Sequence, residues 1–167
     1  HILRCLVGSE MCIRDSAAAL QRVAVENRWE IAAALNQHAE DAGDHNLPLM
    51  NWYAAEPLAV QDMHRALELA AQSKLPRMMH FMVRRVAAMG TPQAFSEIIS
   101  ILRRSDEEKR QLDILTGLSI ALKGQRSAPV PDGWNEIETN LNRSSNAQVR
   151  AEMQALSIRF GSSSAFT

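Results

Sequence analysis

The sequence predicts an all-α fold of about eight helices arranged as an α-solenoid. Three observations lead to this prediction. Apolar residues recur three and four positions apart along the chain, which is the spacing of one face of an α-helix. Strong helix formers such as Ala, Leu, Glu and Arg dominate, whereas aromatic residues make up only 5%. β-branched residues never alternate with polar ones over the length of a strand, so no sheet is predicted.

The beginning of the chain is excluded from this fold prediction. Residues 5–16 match one translated frame of a transposon-end adapter that is used to prepare DNA for sequencing. We therefore predict that residues 1–16 are an adapter-derived segment that is not native, and that residues 17–167 are one helical-repeat domain truncated at both ends. Both cysteines, Cys5 and Cys12, lie in the excluded segment, so the domain has no disulfide and no cysteine nucleophile.

Charge and hydropathy argue against two classes of partner. A formal net charge of −1 at pH 7 does not supply the basic surface that nucleic-acid binding requires. No apolar run approaches the roughly 20 residues of a membrane-spanning helix. We therefore expect a protein partner, no nucleic acid and no direct membrane insertion.

Apolar spacing and turn residues predict the first two helices. The first covers residues 17–39, and the polar residues 40–46 form a loop after it. Pro48 suits the first turn of the second helix, where its missing N–H costs nothing, and Pro57 ends or kinks that helix. The apolar face of the first helix comprises Leu20, Val23, Ile31, Leu35 and His38.

Caps and helix-opening residues predict the later helices. Ser105 and Ser145 each precede a Glu or Gln at the spacing of a capping box. Helices three to eight are predicted to open at or just after Asp62, Pro76, Thr91, Ser105, Trp134 and Ser145. Glycines predicted to end helices are Gly90, Gly124 and Gly161.

The connectors between these helices are short, which makes sequential neighbours pack antiparallel. Helix pairs that recur at roughly 30 to 45 residues are typical of an α-solenoid. The repeats share a pattern rather than residues, which is typical of HEAT-like repeats. A closed helical bundle is the alternative, although a bundle favours longer helices of matched length.

One segment carries a resemblance to a known family. The sequence is DHNLPLM at residues 44–50, then Trp52-Tyr53, then Glu56-Pro57-Leu58, with Arg84-Arg85 further on. These features resemble the HEAT-like repeat region of large multidomain haem-binding proteins of planctomycete-type bacteria, described as putative membrane-bound dehydrogenases. The resemblance covers most of residues 17–161.

The resemblance implies a larger, exported parent protein, with a periplasmic or otherwise exported location. Members of the family join a sugar-dehydrogenase-like β-propeller, a helical repeat region and a c-type cytochrome domain, so haem c is implied for the parent. This sequence contains no Cys-x-x-Cys-His motif for haem attachment and no propeller signature. We therefore predict no catalytic, cofactor-binding or metal-binding residue in this chain.

The function predicted first is a non-catalytic helical-repeat scaffold, or protein-interaction module, of such a parent. A second hypothesis is a module that donates a Met or His ligand to a redox or metal site. A third is an unrelated cytosolic helical-repeat adaptor. The methionines that could serve the second hypothesis are more typical of core filling at helical spacing; they are Met78, Met79, Met82 and Met89.

The acidic and histidine residues near the first predicted loop have two interpretations. His38, Asp41, Asp44 and His45 could ligate a metal, which needs convergent lone pairs at fixed distances. The favoured alternative is that Asp44 or Asn46 caps the helix that begins near Pro48.

The remaining candidates are charged and aromatic residues among the features that carry the family resemblance. Glu56, Arg84 and Arg85 could form a ligand-binding cluster. The favoured alternative is an ion pair between Glu56 or Asp44 and one of the two arginines, in which case Arg84→Ala would destabilise the fold if the pair is buried. Trp52 and Tyr53 could form an exposed recognition patch, but we favour one as a core anchor and the other half-covering a repeat interface.

Overall fold

The computed structural model describes residues 18–44, 46–125 and 128–162. Every regular element within these ranges is helical, and they contain no strand. The all-α prediction is therefore confirmed. The adapter prediction for residues 1–16 lies outside the described residues. The chain divides into two compact units, His1–Met78 and Met79–Thr167, which are described in turn.

The first unit is built from short helices. Its described part opens with a helical turn at residues 18–20 and has 3-10 helices at Val25–Asn27 and Ala39–Gly43. Leucines at 0–1% exposure form its core, namely Leu20, Leu35, Leu47, Leu58 and Leu67. Its α-helices are α1 (Trp29–Leu35), α2 (Leu47–Ala55), α3 (Leu58–Gln61) and α4 (Met63–Ala71).

The prediction of one continuous helix over residues 17–39 is wrong. Arg28, which is 8% exposed, explains the break that precedes α1. Its Nε donates to Val23 O at 2.8 Å, and its Nη2 donates to Gln21 O at 3.0 Å. These side-chain bonds satisfy the carbonyls in a turn and so offer the backbone an alternative to the helical ladder.

The caps of α2 and α4 are as predicted. Asp44 Oδ1 accepts hydrogen bonds from the backbone N–H groups of Asn46 at 2.7 Å and Leu47 at 2.9 Å, so Asp44 supplies the cap of α2. Asp62 Oδ1 accepts from the N–H of Arg65 at 2.9 Å, which satisfies an orphan donor at the start of α4.

Two helices of the first unit that are distant in sequence, α1 and α4, run in the same direction. At their starts, Trp29 Nε1 donates to Gln61 Oε1 at 3.1 Å. At their ends, the N–H of Lys74 donates to Asn36 O at 2.8 Å. Because start meets start and end meets end, the two helices lie side by side and parallel.

The second unit begins within α5 and contains the longer helices. A buried core runs through it, with Ile98, Ile114, Leu115, Leu118, Trp134, Val149 and Met153 all at 0% exposure. Its helices are α5 (Met78–Ala87), α6 (Pro92–Arg103), α7 (Glu108–Ala121), α8 (Trp134–Leu141) and α9 (Ala147–Phe160).

Several predicted boundaries of the second unit hold. Thr91 Oγ1 accepts from the N–H of Ala94 at 3.2 Å, which caps α6, and α8 begins at Trp134. Pro76 is close but not the opening residue, because α5 begins after Arg77, whose φ is 65°. The glycines predicted to end helices have left-handed φ values of 67°, 90° and 67°, at Gly90, Gly124 and Gly161.

Both predicted capping boxes are wrong. The Ser105 hydroxyl donates back to Ile101 O at 2.7 Å, so it serves the end of α6 and not the start of α7. The cap of α9 is Asn146, whose side chain accepts from two N–H groups of the first turn. The neighbouring Ser145 hydroxyl instead donates to the Glu108 carboxylate. In both cases a tertiary or preceding-helix acceptor competes for the serine.

The second unit repeats the parallel pairing, here between α7 and α9. Glu108 at the start of α7 meets Ser145 just before α9. Near the other ends, the Ser119 hydroxyl donates to Glu152 Oε2 at 2.7 Å, and Arg159 Nη1 donates to Ser119 O at 2.9 Å. The intervening α8 lies antiparallel to α9, because Trp134 at its start contacts Ser157 and Phe160 near the end of α9.

Candidate functional site

A groove between α1 and α4 is the candidate functional site. Its volume is about 280 Å³. Glu30, Ala33 and Gln37 recur at i, i+3 and i+7 along α1 and the turn after it, and the second set recurs at i, i+3, i+4 and i+7 along α4 and the residue after it. Each helix therefore contributes one face. The lining residues are Trp29, Glu30, Ala33, Gln37, Arg65, Glu68, Leu69 and Gln72.

Trp29 and Arg65 form one end of the groove. The guanidinium carbon of Arg65 lies 4.3 Å from the centroid of the Trp29 ring, a distance at which the cation is attracted to the indole face. The Trp29 N–H is already committed to Gln61, and the ring itself is 7% exposed. The aromatic floor is therefore held in place, and Arg65 covers its face.

The rest of the lining combines carboxylates, amides and a small apolar surface. Glu30 is exposed on α1, whereas one carboxylate oxygen of Glu68, Oε1, is buried. At the other end, Gln37 Nε2 donates to Gln72 O at 2.9 Å. The lining thus includes two carboxylates and one guanidinium.

The titratable side chains that line the groove are the carboxylates of Glu30 and Glu68 and the guanidinium of Arg65. Across the part of the chain that the structure describes, no group of three or more His, Cys, Asp or Glu residues could hold a metal ion. The arrangement can supply a charged partner with carboxylate and amide contacts beside a fixed aromatic ring.

Of the two interpretations of the acidic and histidine cluster, Asp44 follows the helix-cap interpretation. His38 Nδ1 lies 2.7 Å from Glu40 Oε1, and this hydrogen bond from His38 is the main cause that lowers the pKa of Glu40. Asn46 is exposed beside the cap. His45 and the side chain of Asp41 lie outside the described residues, so the metal prediction for them is not tested.

Trp52 and Tyr53, both on α2, differ in exposure. Trp52 is half-buried, whereas Tyr53 is 56% exposed and its helical neighbour Leu49 is 41% exposed. The two aromatics do not line the groove between α1 and α4.

The charged candidates are not brought together in the described groove. Glu56 is half-buried at the end of α2, Arg85 is half-buried on α5, and Arg84 is exposed. The prediction that Arg84→Ala destabilises the fold applied to a buried ion pair. Because Arg84 is exposed, that prediction no longer applies to it. The pairing of Glu56 with either arginine stays a prediction.

Three of the four methionines behave as core residues. Met78, Met79 and Met82 are 1%, 5% and 0% exposed, while Met89 is half-buried. The interpretation as core filling is confirmed for the first three.

The groove itself was not anticipated from the sequence. The groove joins two segments that are distant in sequence. Trp29 and Glu30 lie 35 or more positions before Arg65 and Glu68. Their one local signal is polar side chains on the outward face of an otherwise apolar α4. That signal alone is also what any solvated helix face shows.

Comparison with protein-family models, with curated proteins and with solved structures finds no match in any of the three. Among the described residues, no helix combines the length and the apolar character needed to cross a membrane.

Proposed function

We propose that the chain is a non-catalytic helical-repeat module that docks a segment of a protein partner, with the groove between α1 and α4 as the docking surface. The observation that carries the proposal is the groove itself, a preformed furrow between two parallel helices that is lined by carboxylates and amides, with Arg65 held over the ring of Trp29. Aromatic residues and arginine are the side chains enriched at protein interfaces.

The size of the groove favours a protein segment over a small molecule. Its volume of about 280 Å³ lies at the lower limit of pockets that bury a drug-sized ligand, roughly 300 to 1,000 Å³. Five of its lining residues are themselves exposed, namely Glu30, Ala33, Gln37, Arg65 and Gln72. A side chain or short extended segment fits such a surface, because the rest of the partner can remain in solvent.

The parallel helix pairs support a repeat architecture of the HEAT-like type. In stacked helical hairpins, each helix packs beside the equivalent helix of the next hairpin and runs in the same direction. The pairs α1 with α4 and α7 with α9 have this relationship, each within its own unit. We further propose, on the resemblance of residues 44–58, that the parent is an exported haem-containing oxidoreductase.

Site-specific photo-crosslinking tests the docking proposal. A benzoyl-phenylalanine at Ala33, which is exposed in the groove, is expected to give a discrete protein adduct of defined mass in an extract of the source cells. The matched control is Ala151, an exposed alanine on α9. Adducts that are absent at Ala33, or equal at the two positions, would overturn the proposal.

A further inference from the structure

We propose that Asp132 and Gly133, in the turn before α8, are a site of spontaneous backbone modification at which the aspartate is converted to isoaspartate. The two residues are the single Asp-Gly pair of the sequence, which contains no Asn-Gly pair. The proposal is independent of the docking function. It is carried by the exposure of the two residues, by their lack of hydrogen bonds and by the reason that position 133 is a glycine.

The reaction needs water and no other reagent. The backbone nitrogen of Gly133 attacks Cγ of the protonated Asp132 carboxyl, a C–N bond forms, and the nitrogen's proton leaves with the carboxyl hydroxyl as water. The product is a five-membered succinimide ring. A second water molecule opens this ring and returns a proton to the nitrogen. Opening at the main-chain carbonyl leaves Gly133 linked through the side chain of residue 132, which is then isoaspartate.

Both reacting groups are accessible. Asp132 and Gly133 are exposed and lie outside the helices. Within the ranges that the structure describes, neither the Asp132 carboxylate nor the Gly133 N–H takes part in a hydrogen bond. The turn is closed instead by the N–H of Trp134, which donates to Pro131 O at 3.1 Å. Ring closure therefore breaks no hydrogen bond of the two residues that react.

The fold favours glycine at position 133. Its φ is 81°, in the left-handed region that a residue with a side chain rarely adopts. A Cβ there would also lie 2.5 Å from Arg103 Nη2, and this guanidinium pairs with Glu136 of α8 at 3.0 Å. The turn thus depends on the one residue type that leaves the backbone nitrogen unshielded from the Asp132 carboxyl.

The modification is expected to reach the core of the second unit. Isoaspartate adds one methylene to the main chain directly before α8. The next residue but one, Trp134, is 0% exposed, its Nε1 donates to Ser157 at 3.1 Å, and its ring centroid lies 4.7 Å from that of Phe160. Because a packed interior has little free space, the longer turn is expected to displace the indole.

Asp106 is the matched control within the same chain. It is exposed and non-helical, and it precedes Glu107, the N-cap of α7, as Asp132 precedes Gly133, the N-cap of α8. The two sites differ mainly in the residue that follows the aspartate. The proposal therefore predicts modification at Asp132 and much less at Asp106.

Incubation of the folded chain in ¹⁸O-labelled water tests this prediction, because ring opening leaves one heavy oxygen in the peptide. A mildly acidic pH increases the protonated share of each carboxyl. Trypsin then releases residues 127–143 and 105–109, each with a single aspartate, and fragmentation locates the label. We expect several-fold more label at Asp132 than at Asp106. Asp132→Glu is expected to abolish it, because the longer side chain does not close a five-membered ring.

The effect on the core is measured on the isoaspartate form after chromatographic separation. In a ¹⁵N-labelled chain, the indole N–H signal of Trp134 is expected to shift, whereas that of Trp29, which donates to Gln61 in the first unit, is expected to stay in place. An unchanged Trp134 signal would overturn the effect on the core.

Three results would overturn the modification site itself. The first is equal label at Asp132 and Asp106. The second is undiminished label at residue 132 in the Asp132→Glu chain. The third is label at Asp132 that appears in urea-unfolded chain and is absent from folded chain, since the folded turn would then protect the bond.

Discussion

The hydroxyl of Ser73 donates to Asn36 Oδ1 across 3.0 Å, and this bond fastens the end of α4 to the end of α1. Asn36 is 1% exposed, its Nδ2 donates to Ala32 O, and its own carbonyl accepts from the N–H of Lys74. One buried asparagine thereby bonds to a free carbonyl at the end of α1 and fixes the position of the end of α4. The alignment of the two helices that form the groove depends on it.

Asn36→Ala is expected to destabilise the fold by about 2 kcal/mol, because a buried hydrogen-bonded amide is lost and its partners keep their desolvation cost. Denaturant unfolding measures the change in the free energy of unfolding. Gln37→Ala, next in sequence but exposed, is the control and is expected to change it by less than about 0.5 kcal/mol. Equal effects of the two substitutions would contradict the role assigned to Asn36.

Gly117 in the middle of α7 marks a close approach to α5. A Cβ at this position would lie 2.6 Å from His80 O and 3.2 Å from the Cβ of Val83. Helix propensity alone predicts that Gly117→Ala would stabilise by up to about 1 kcal/mol. We expect the opposite, a loss of about 1 to 3 kcal/mol, because backbone must shift to admit the methyl group.

Gly43→Ala is the matched control for this substitution. A Cβ there meets nothing within 4 Å, and the residue does not need a positive φ, so the change is expected to be neutral or slightly stabilising. Thermal unfolding of the two variants provides the comparison. A rise in the midpoint for Gly117→Ala would show that the two helices separate easily.

The helical elements and several of their caps could be predicted from the sequence because those features are local. Asp62 and Thr91 cap helices through N–H groups three residues away, so the signal and the partner lie in one short window. Ser105 and Ser145 have the same local pattern, but acceptors on a preceding helix or in a distant segment compete for their hydroxyls.

The groove and the break before α1 could not be predicted, because both depend on which segments meet. Arg28 reads as a surface residue until its guanidinium is seen to bond to two carbonyls of its own turn. Trp29 and Arg65 become a site once α1 and α4 lie parallel, and a single sequence carries no record of that pairing. Trp52 and Tyr53, the most distinctive side chains of residues 44–58, do not line the groove.

The hydrogen bond between His38 and Glu40 gives a pH-dependent prediction. The pKa of the Glu40 carboxyl lies below its ordinary value. The largest cause is the hydrogen bond from His38, and the second is a hydrogen bond from the backbone of Glu40 itself. A lowered folded-state pKa contributes stability that is present above the unfolded pKa and is lost as pH falls through the folded one. The contribution is small because Glu40 is exposed.

Carbon-detected NMR titration of the Glu40 carboxyl is the direct measurement. The pKa is expected to lie below that of an unperturbed glutamate, and His38→Ala is expected to move it back towards the ordinary value. A Glu40 pKa that does not respond to the substitution would assign the shift to the backbone hydrogen bond instead.

Two arginines of the chain test how burial sets the effect of a charge. Arg28 is 8% exposed and donates to the carbonyls of Val23 and Gln21, whereas Arg84 is exposed on α5. Arg28→Ala is expected to destabilise by about 2 kcal/mol, because the buried arginine is lost and two backbone carbonyls of the turn lose a charged donor. Arg84→Ala is expected to remain within about 0.5 kcal/mol of the parent. Denaturant unfolding of both variants decides the matter: a large loss for Arg84→Ala would require a buried partner for its guanidinium, while a negligible loss for Arg28→Ala would mean that the turn before α1 closes without it.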